Sequence, residues 1–197
     1  MRERRYTETR VTEDRGKIWG TASVTYNGQP GTEYQLWEGA VERIAEGAFD
    51  EALSQGQDVV ALFNHDPNIV LGRTPDTLKL RASKQGLHYE VDPPDTQAAR
   101  DLLTSIRRGD IRGSSFAFQA KEVEWRSEGE TDIRVVQKAN LFDVSPVTYP
   151  AYAATSTGVR ADERKRLEDE RDEYRNRLET EKRLARLDTL RNQQRSK

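Results

Sequence analysis

Polar and apolar positions alternate with period two over most of the first 160 residues, whereas residues 161–197 carry only scattered leucines among charges. The stretch RVTEDRGKIWGTASVTY (10–26) alternates around a glycine-containing turn and predicts an opening hairpin, with Ile18, Gly20 and Ala22 on one face. VERIAEGAFDEALSQG predicts a short helix from about Gly47 to Ser54 that packs Phe49 and Leu53 and ends near Gly56. DVVALFNH is apolar on both faces, as in a strand buried on both sides, and delivers His65 at its end. TLKLRASKQGLHYEVD reads as two strands around Lys84 to Gly86, with Leu78, Leu80, Leu87, Tyr89 and Val91 facing a core and the other face wet.

TQAARDLLTSIRRG switches to helical spacing, placing Ala99, Leu102, Leu103 and Ile106 on one stripe. Asp95 or Thr96 suits its N-cap, Arg107 and Arg108 suit the negative end of its dipole, and Gly109 suits its terminating position. SSFAFQAKEVEW then alternates as a strand, SEGETD turns, and IRVVQKANLFDVSPV returns as strand until Pro146 and Pro150 stop the pairing. The expected class is α+β, mainly strands with a few helices.

Composition changes this picture at one place. The chain has 197 residues, 34% of them charged, and a mean hydropathy of −0.93, more polar than a single packed core requires. The surplus lies in 161–197, which has no Gly or Pro, so the chain divides into a domain over 1–160 and a charged helical tail over 161–197. Leu167, Tyr174, Leu178, Leu184 and Leu187 mark a thin apolar stripe on that tail, laced with opposite charges. Such a stripe suits pairing with another helix, and it suits equally a solvated helix with no partner.

Net charge is −2 with both signs mixed in the same segments, which argues against nonspecific nucleic-acid binding. No apolar run is long enough to span a membrane, and MRERRYTETR lacks the apolar stretch of a signal peptide, so a soluble cytoplasmic protein is expected. With no cysteine and two histidines there is no thiol nucleophile and almost no scope for structural zinc. Hydroxyl chemistry remains, with no metal or cofactor required.

Three phrases each set a reactive side chain in a strand-like apolar context: FNHDPNIVLGR (63–73), GDIRGSSFAF (109–118) and LFDVSPVTYPA (141–151). They supply His65, Ser115 and Asp143, a base, a hydroxyl nucleophile and an orienting acid, the set needed for acyl transfer from a peptide. On a strand Ser114 shares its face with Phe116 and Phe118, the better core face, whereas Ser115 shares the other with Ala117 and Gln119. Ser115 is therefore preferred, with Gly113 leaving room for a close approach. Asp66 follows His65 directly and points the opposite way, so Asp143 is the better partner and Asp66 starts a turn at Pro67 and Asn68. His88 reads as a wet-face residue or a more distant supporter of the site. Arg112, Gly113 and Arg73 are candidates for stabilising an oxyanion, with structural roles favoured for each. Taken singly, each of these residues is commoner as ordinary loop, cap or surface chemistry. Two rivals stand beside a protease: a noncatalytic assembly or scaffolding protein with a coiled-coil tail, and another serine hydrolase, disfavoured because G-x-S-x-G and alternating βα units are lacking.

The order and surroundings of the phrases resemble the prohead maturation serine proteases of tailed bacteriophages, the caudovirus family. The resemblance spans about Gly20 to Arg160 and is carried by ERIAEGAFDEAL (42–53), VALFNHDPNIVLGRTPDTLKL (60–80), GLHYEVD (86–92), SIRRGDIRGSSFAF (105–118) and LFDVSPVTYPAYAAT (141–155). It implies a fold similar to the herpesvirus capsid maturation proteases, a mainly antiparallel β-barrel core flanked by helices. The family histidine maps onto His65 and the serine of its Ser-Phe-x-Phe phrase onto Ser115. Its acid, in the Leu-x-Asp/Glu-Val-Ser phrase, maps onto Asp143, where the herpesvirus enzymes use a second histidine. The implied function is a serine endopeptidase that cleaves scaffold or the scaffolding segment of the major capsid protein, and itself. It would act inside the assembling prohead in the host bacterial cytoplasm, with self-association, and the tail becomes a scaffold or encapsidation segment removed by self-cleavage.

Overall fold

Alternation in the sequence becomes two sheets in the computed structural model, which describes residues 2–7, 10–149 and 161–195. The elements are β1 (Glu3–Thr7), β2 (Thr12–Asp14), β3 (Lys17–Val24), β4 (Tyr34–Trp37), β5 (Ala40–Ile44), α1 (Asp50–Ser54), β6 (Val60–Phe63), β7 (Asp66–Arg73), β8 (Leu78–Ser83), β9 (Gly86–Val91), α2 (Gln97–Arg108), β10 (Gly113–Glu128), β11 (Thr131–Val147) and α3 (Ala161–Arg195). One sheet has seven strands in the order β1-β10-β11-β5-β4, with β6 joined to β11 and β7 joined to β6. The other runs β2-β3-β9-β8.

The protein is α+β and mostly strands, but the pairings among the described residues form no closed barrel, which corrects that expectation. Nor is the larger sheet purely antiparallel: β5 and β6 both run parallel to β11, against Asp132–Val136 and Asp143–Val144 respectively. Strand β6, apolar on both faces in the sequence, sits between β11 and β7, as the parallel pairing leads one to expect.

The core lies where the apolar faces meet. Ile18, Ala22, Leu78, Leu87, Tyr89 and Val91 from the smaller sheet join Phe116, Phe118, Leu141 and Val144 from the larger, all buried. Phe116 and Phe118 stack at 5.0 Å, and Phe49 meets Phe116 edge-on at 5.8 Å. Helix α2 adds Leu102 and Ile106. It starts where Thr96 accepts the Ala99 amide and stops at Gly109, whose φ of +81° continues no helix.

Pro146 does not stop β11, which runs to Val147. Its carbonyl faces β6 and accepts from the Asn64 amide at 3.1 Å, so its ring nitrogen also faces that side, beyond the last ladder pair with β6 at Val144. The missing N–H ends the ladder with β6, while the pairing with β10 continues through Ser114–Pro146 and Gly113–Val147. Pro150 and the boundary expected near Arg160 lie outside the described residues.

A buried ionic cluster ties the larger sheet to α3. Arg134 is fully buried and donates to Glu42 at 2.5 Å, Glu3 at 2.9 Å and Glu170 at 2.7 Å. Arg5, 2% exposed, donates to Glu42 at 2.7 Å and Glu163 at 2.8 Å. Leu167, fully buried, packs with Leu36, Trp37, Ala40 and Trp125, whose indole N–H donates to Glu170. The first turns of α3 are thus seated on the domain, while Leu184 and Leu187 further along are exposed.

The two inner carboxylates respond in opposite directions. Burial pushes Glu3 up more than its arginine neighbours pull it down, and Glu42 adds to the rise. Burial opposes ionisation of Glu42 too, but Arg5 and Arg134 together hold its carboxyl below the usual range. Glu42 therefore contributes stability that is present above the ordinary carboxylate range and lost as acid protonates it, whereas the Glu3 contribution is lost as pH rises through its elevated folded value. Replacing Glu42→Gln leaves two buried guanidiniums short of an anion and is expected to lower unfolding stability by about 3–5 kcal/mol in urea titrations near neutral pH. Glu3→Gln, which removes a carboxylate that resists ionisation, is expected to cost clearly less; equal losses would refute this division of roles. A second expectation concerns Gly20, where an added Cβ would lie 2.4 Å from the Tyr89 ring. Gly20→Ala should destabilise by about 1–3 kcal/mol in the same assay.

Candidate active site

His65 is presented by a two-residue hairpin rather than by the end of a strand. Phe63 pairs with Asp66, so Asn64 and His65 alone connect β6 to β7, with φ of +54° and +58°. Such double left-handed turns suit the twist of adjoining strands but usually contain glycine, and a histidine there costs on the order of 1–3 kcal/mol. Asn64 secures the turn: its amide donates to Pro146, its Nδ2 to Thr148 Oγ1 at 3.1 Å, and its Oδ1 accepts from the Thr148 amide at 2.9 Å. Asp66 points away, accepting the Asn68 amide at 2.8 Å; the register skips from Val70 to Asp66 here, so the expected turn at Pro67 and Asn68 is a bulge within β7.

The other side chains come from neighbouring rungs of β10 and β11. Ser115 is opposite Ser145 and Ala117 opposite Asp143, so the hydroxyl and the carboxylate project from the same face. Because β6 lies on the far side of β11, the imidazole reaches back across β11 to meet both. His65 Nδ1 is 2.5 Å from Asp143 Oδ1, and Nε2 is 2.6 Å from Ser115 Oγ. Both side chains of the His65–Asp143 pair are 6% exposed. All three residues singled out in the sequence are therefore brought together in one hydrogen-bonded line.

Ser114 turns to the core, where its Oγ and the Tyr89 hydroxyl are 2.7 Å apart; burial raises the Tyr89 phenol well above its ordinary value. The alternation of strand faces thus separates the two serines, although Ser115 is not in an open space. It is 1% exposed, and its hydroxyl lies 2.8 Å from the Arg5 carbonyl of β1 as well as near His65. One proton cannot serve both acceptors. The Tyr6 ring stands on Gly113, within 2.1–2.5 Å of where a Cβ would be, so the space left by that glycine is filled by β1. Gly113 and Arg112 lie at the start of β10, where the Arg112 carbonyl accepts the Val11 amide; Arg73 pairs with Asp58 on the surface. His88 lies on the smaller sheet between Thr21 Oγ1 and Ser83 Oγ, and burial lowers its pKa; no described contact joins it to His65, Ser115 or Asp143.

Sequence reasoning missed Ser145. Its Oγ donates to Asp143 Oδ1 at 3.1 Å and lies 3.3 Å from His65 Nδ1. The signal was available, since residues two apart on a strand share a face. The role of β1 was not legible, because nothing in its short sequence specifies pairing with β10.

The sequence profile of the caudovirus prohead serine proteases matches residues 8–170. No curated protein matches the chain significantly. Among solved structures, the bacteriophage T4 capsid assembly protease gp21 aligns with a TM-score of 0.48 and 12% identity, over 76% of this chain and 97% of that one. With most of its length matched by that profile, including the strands and the turn that carry His65, Ser115 and Asp143, the chain belongs to the caudovirus prohead serine protease family.

Proposed function

We propose that this serine protease is an endopeptidase using Ser115 as nucleophile, His65 as general base and Asp143 as orienting acid. The continuous line from Ser115 Oγ through the imidazole to Asp143 Oδ1 carries the reading. Asp143 accepts the Nδ1 proton, which leaves Nε2 free to accept from the serine hydroxyl. As Oγ bonds to the scissile carbonyl carbon, its proton passes to Nε2, and the Asp143 carboxylate stabilises the imidazolium. Collapse breaks the C–N bond, the amine leaves with the Nε2 proton, and water attacks the acyl ester by the same exchange in reverse. Ser115 is almost fully buried, with the Arg5 carbonyl of β1 against its hydroxyl and the Tyr6 ring over nearby Gly113.

The substrates in this reading are the scaffold or the scaffolding segment of the major capsid protein, and the protease itself, cut inside the assembling prohead in the bacterial cytoplasm. No described helix is long and apolar enough to cross a membrane. Residues 161–197 act as an assembly or encapsidation segment that self-cleavage removes, with self-association of the protease. The exposed Leu184 and Leu187 on α3 support a handle in its distal part, while Leu167 and Glu170 dock its start.

Intact-mass analysis of the protein alone and with its capsid protein tests the proposal. Wild type is expected to shorten itself or the capsid protein with time, and Ser115→Ala to slow this by on the order of 10³-fold or more. Ser114→Ala is expected to keep cutting while losing about 1–2 kcal/mol of stability, through the unpaired Tyr89 hydroxyl. Undiminished cutting by Ser115→Ala, or its loss in a folded Ser114→Ala, would overturn the assignment.

A further inference from the structure

We infer that Ser145 is a positioning residue, holding the Asp143 carboxylate in the one orientation that serves His65; this rests on the site proposed above. Ser145 is fully buried, and its Oγ is within 3.1 Å of Asp143 Oδ1 and 3.3 Å of His65 Nδ1. Those contacts, with the 2.5 Å Nδ1–Oδ1 distance, close a triangle of polar atoms. The proton count within it is fixed. An ionised carboxylate donates nothing, and Nδ1 must carry its proton toward Asp143 if Nε2 is to accept from Ser115. The Ser145 proton therefore goes to Oδ1, and its lone pair faces the Nδ1–H.

The backbone explains why this serine can act as a rigid stop. Ser145 follows Asp143 by two residues on β11, so the pleat sets both on one face, and it is the ladder partner of Ser115 on β10. A bond from Ser145 to Asp143 thus fixes the carboxylate relative to the strand pair that carries the nucleophile. Asp143 is itself 4% exposed, so solvent cannot replace a lost donor readily. Among the described residues Asp143 is the ion-pair partner of His65, which concentrates the consequence of any rotation on the imidazolium.

Two roles for the hydroxyl predict opposite signs. If it only drew charge from the carboxylate, its removal would strengthen Asp143 as a partner and raise the midpoint of the His65 titration. If it holds the carboxylate in place, removal lets Asp143 turn away and lowers that midpoint, because the imidazolium loses support. The test is an NMR titration of the two imidazoles in the full chain carrying Ser115→Ala to prevent self-cleavage, with and without Ser145→Ala. The chain has two histidines, so His88, on the other sheet, reports whether the fold is intact. The expected result is a lower His65 midpoint with His88 unmoved; in the Ser115-containing chain, kcat should fall roughly ten- to hundredfold, the size of one hydrogen bond to a charged group, with KM little changed. A His65 midpoint that stays put or rises while His88 is unmoved overturns the inference. The titration does not depend on cleavage, whereas undiminished cleavage by Ser115→Ala sinks the underlying reading of the site.

Discussion

The register between β10 and β11 is the constraint on which the site depends. Setting Ser115 against Ser145 and Ala117 against Asp143 brings a hydroxyl and a carboxylate to one face of the sheet, and a one-residue slip of either strand would send one of them to the opposite face. The stacked Phe116 and Phe118 hold that register from the core side, since the same slip would expel both rings. The apolar face of β10 thus fixes where its polar face presents Ser115. His65 then needs to be aimed only once, by the tight turn after β6 that Asn64 ties to the end of β11.

A second set of forces joins the ends of the chain to this frame. Glu3 and Arg5 of β1, Glu42 of β5, Arg134 of β11, and Glu163 and Glu170 of α3 share one ionic cluster, buried on the sheet and half-buried at the two α3 carboxylates. Burying so much charge is no guarantee of stability, but breaking such a cluster at one member is costly. Strand β1 is also the strand whose carbonyl competes with His65 for the Ser115 proton. Arg5 makes both contacts: its carbonyl lies against the Ser115 hydroxyl and its guanidinium bonds Glu163 of α3.

Much of this was legible in the sequence where a pattern is local. Period two set the β2–β3 and β8–β9 hairpins, helical spacing with Thr96 and Gly109 set α2, and alternation around Phe116 and Phe118 separated Ser115 from Ser114. What could not be read there depends on partners distant in sequence. The two-sided apolar run of β6 is in keeping with parallel pairing, but nothing local says that β5 and β6 both take β11 as their partner, or that the pairings among the described residues close no barrel. The sequence points to a strand end for His65 because Asn-His lacks the glycine that advertises a left-handed turn; the contacts of Asn64 supply what composition does not. The thin stripe on the tail leaves its partner open, and Leu167 finds two tryptophans of the domain, a contact that only the folded sheet creates.

Whether the Ser115–His65–Asp143 line makes one serine nucleophilic can be read from reaction with an excess of a fluorophosphonate followed by peptide mapping. The Oγ–P bond forms as fluoride leaves, so the mass of the adduct names the activated residue without knowledge of the natural substrate. A single adduct on Ser115, lost in His65→Ala, is expected. An adduct on Ser114 or on another serine, or labelling of Ser115 that persists undiminished without His65, would contradict it.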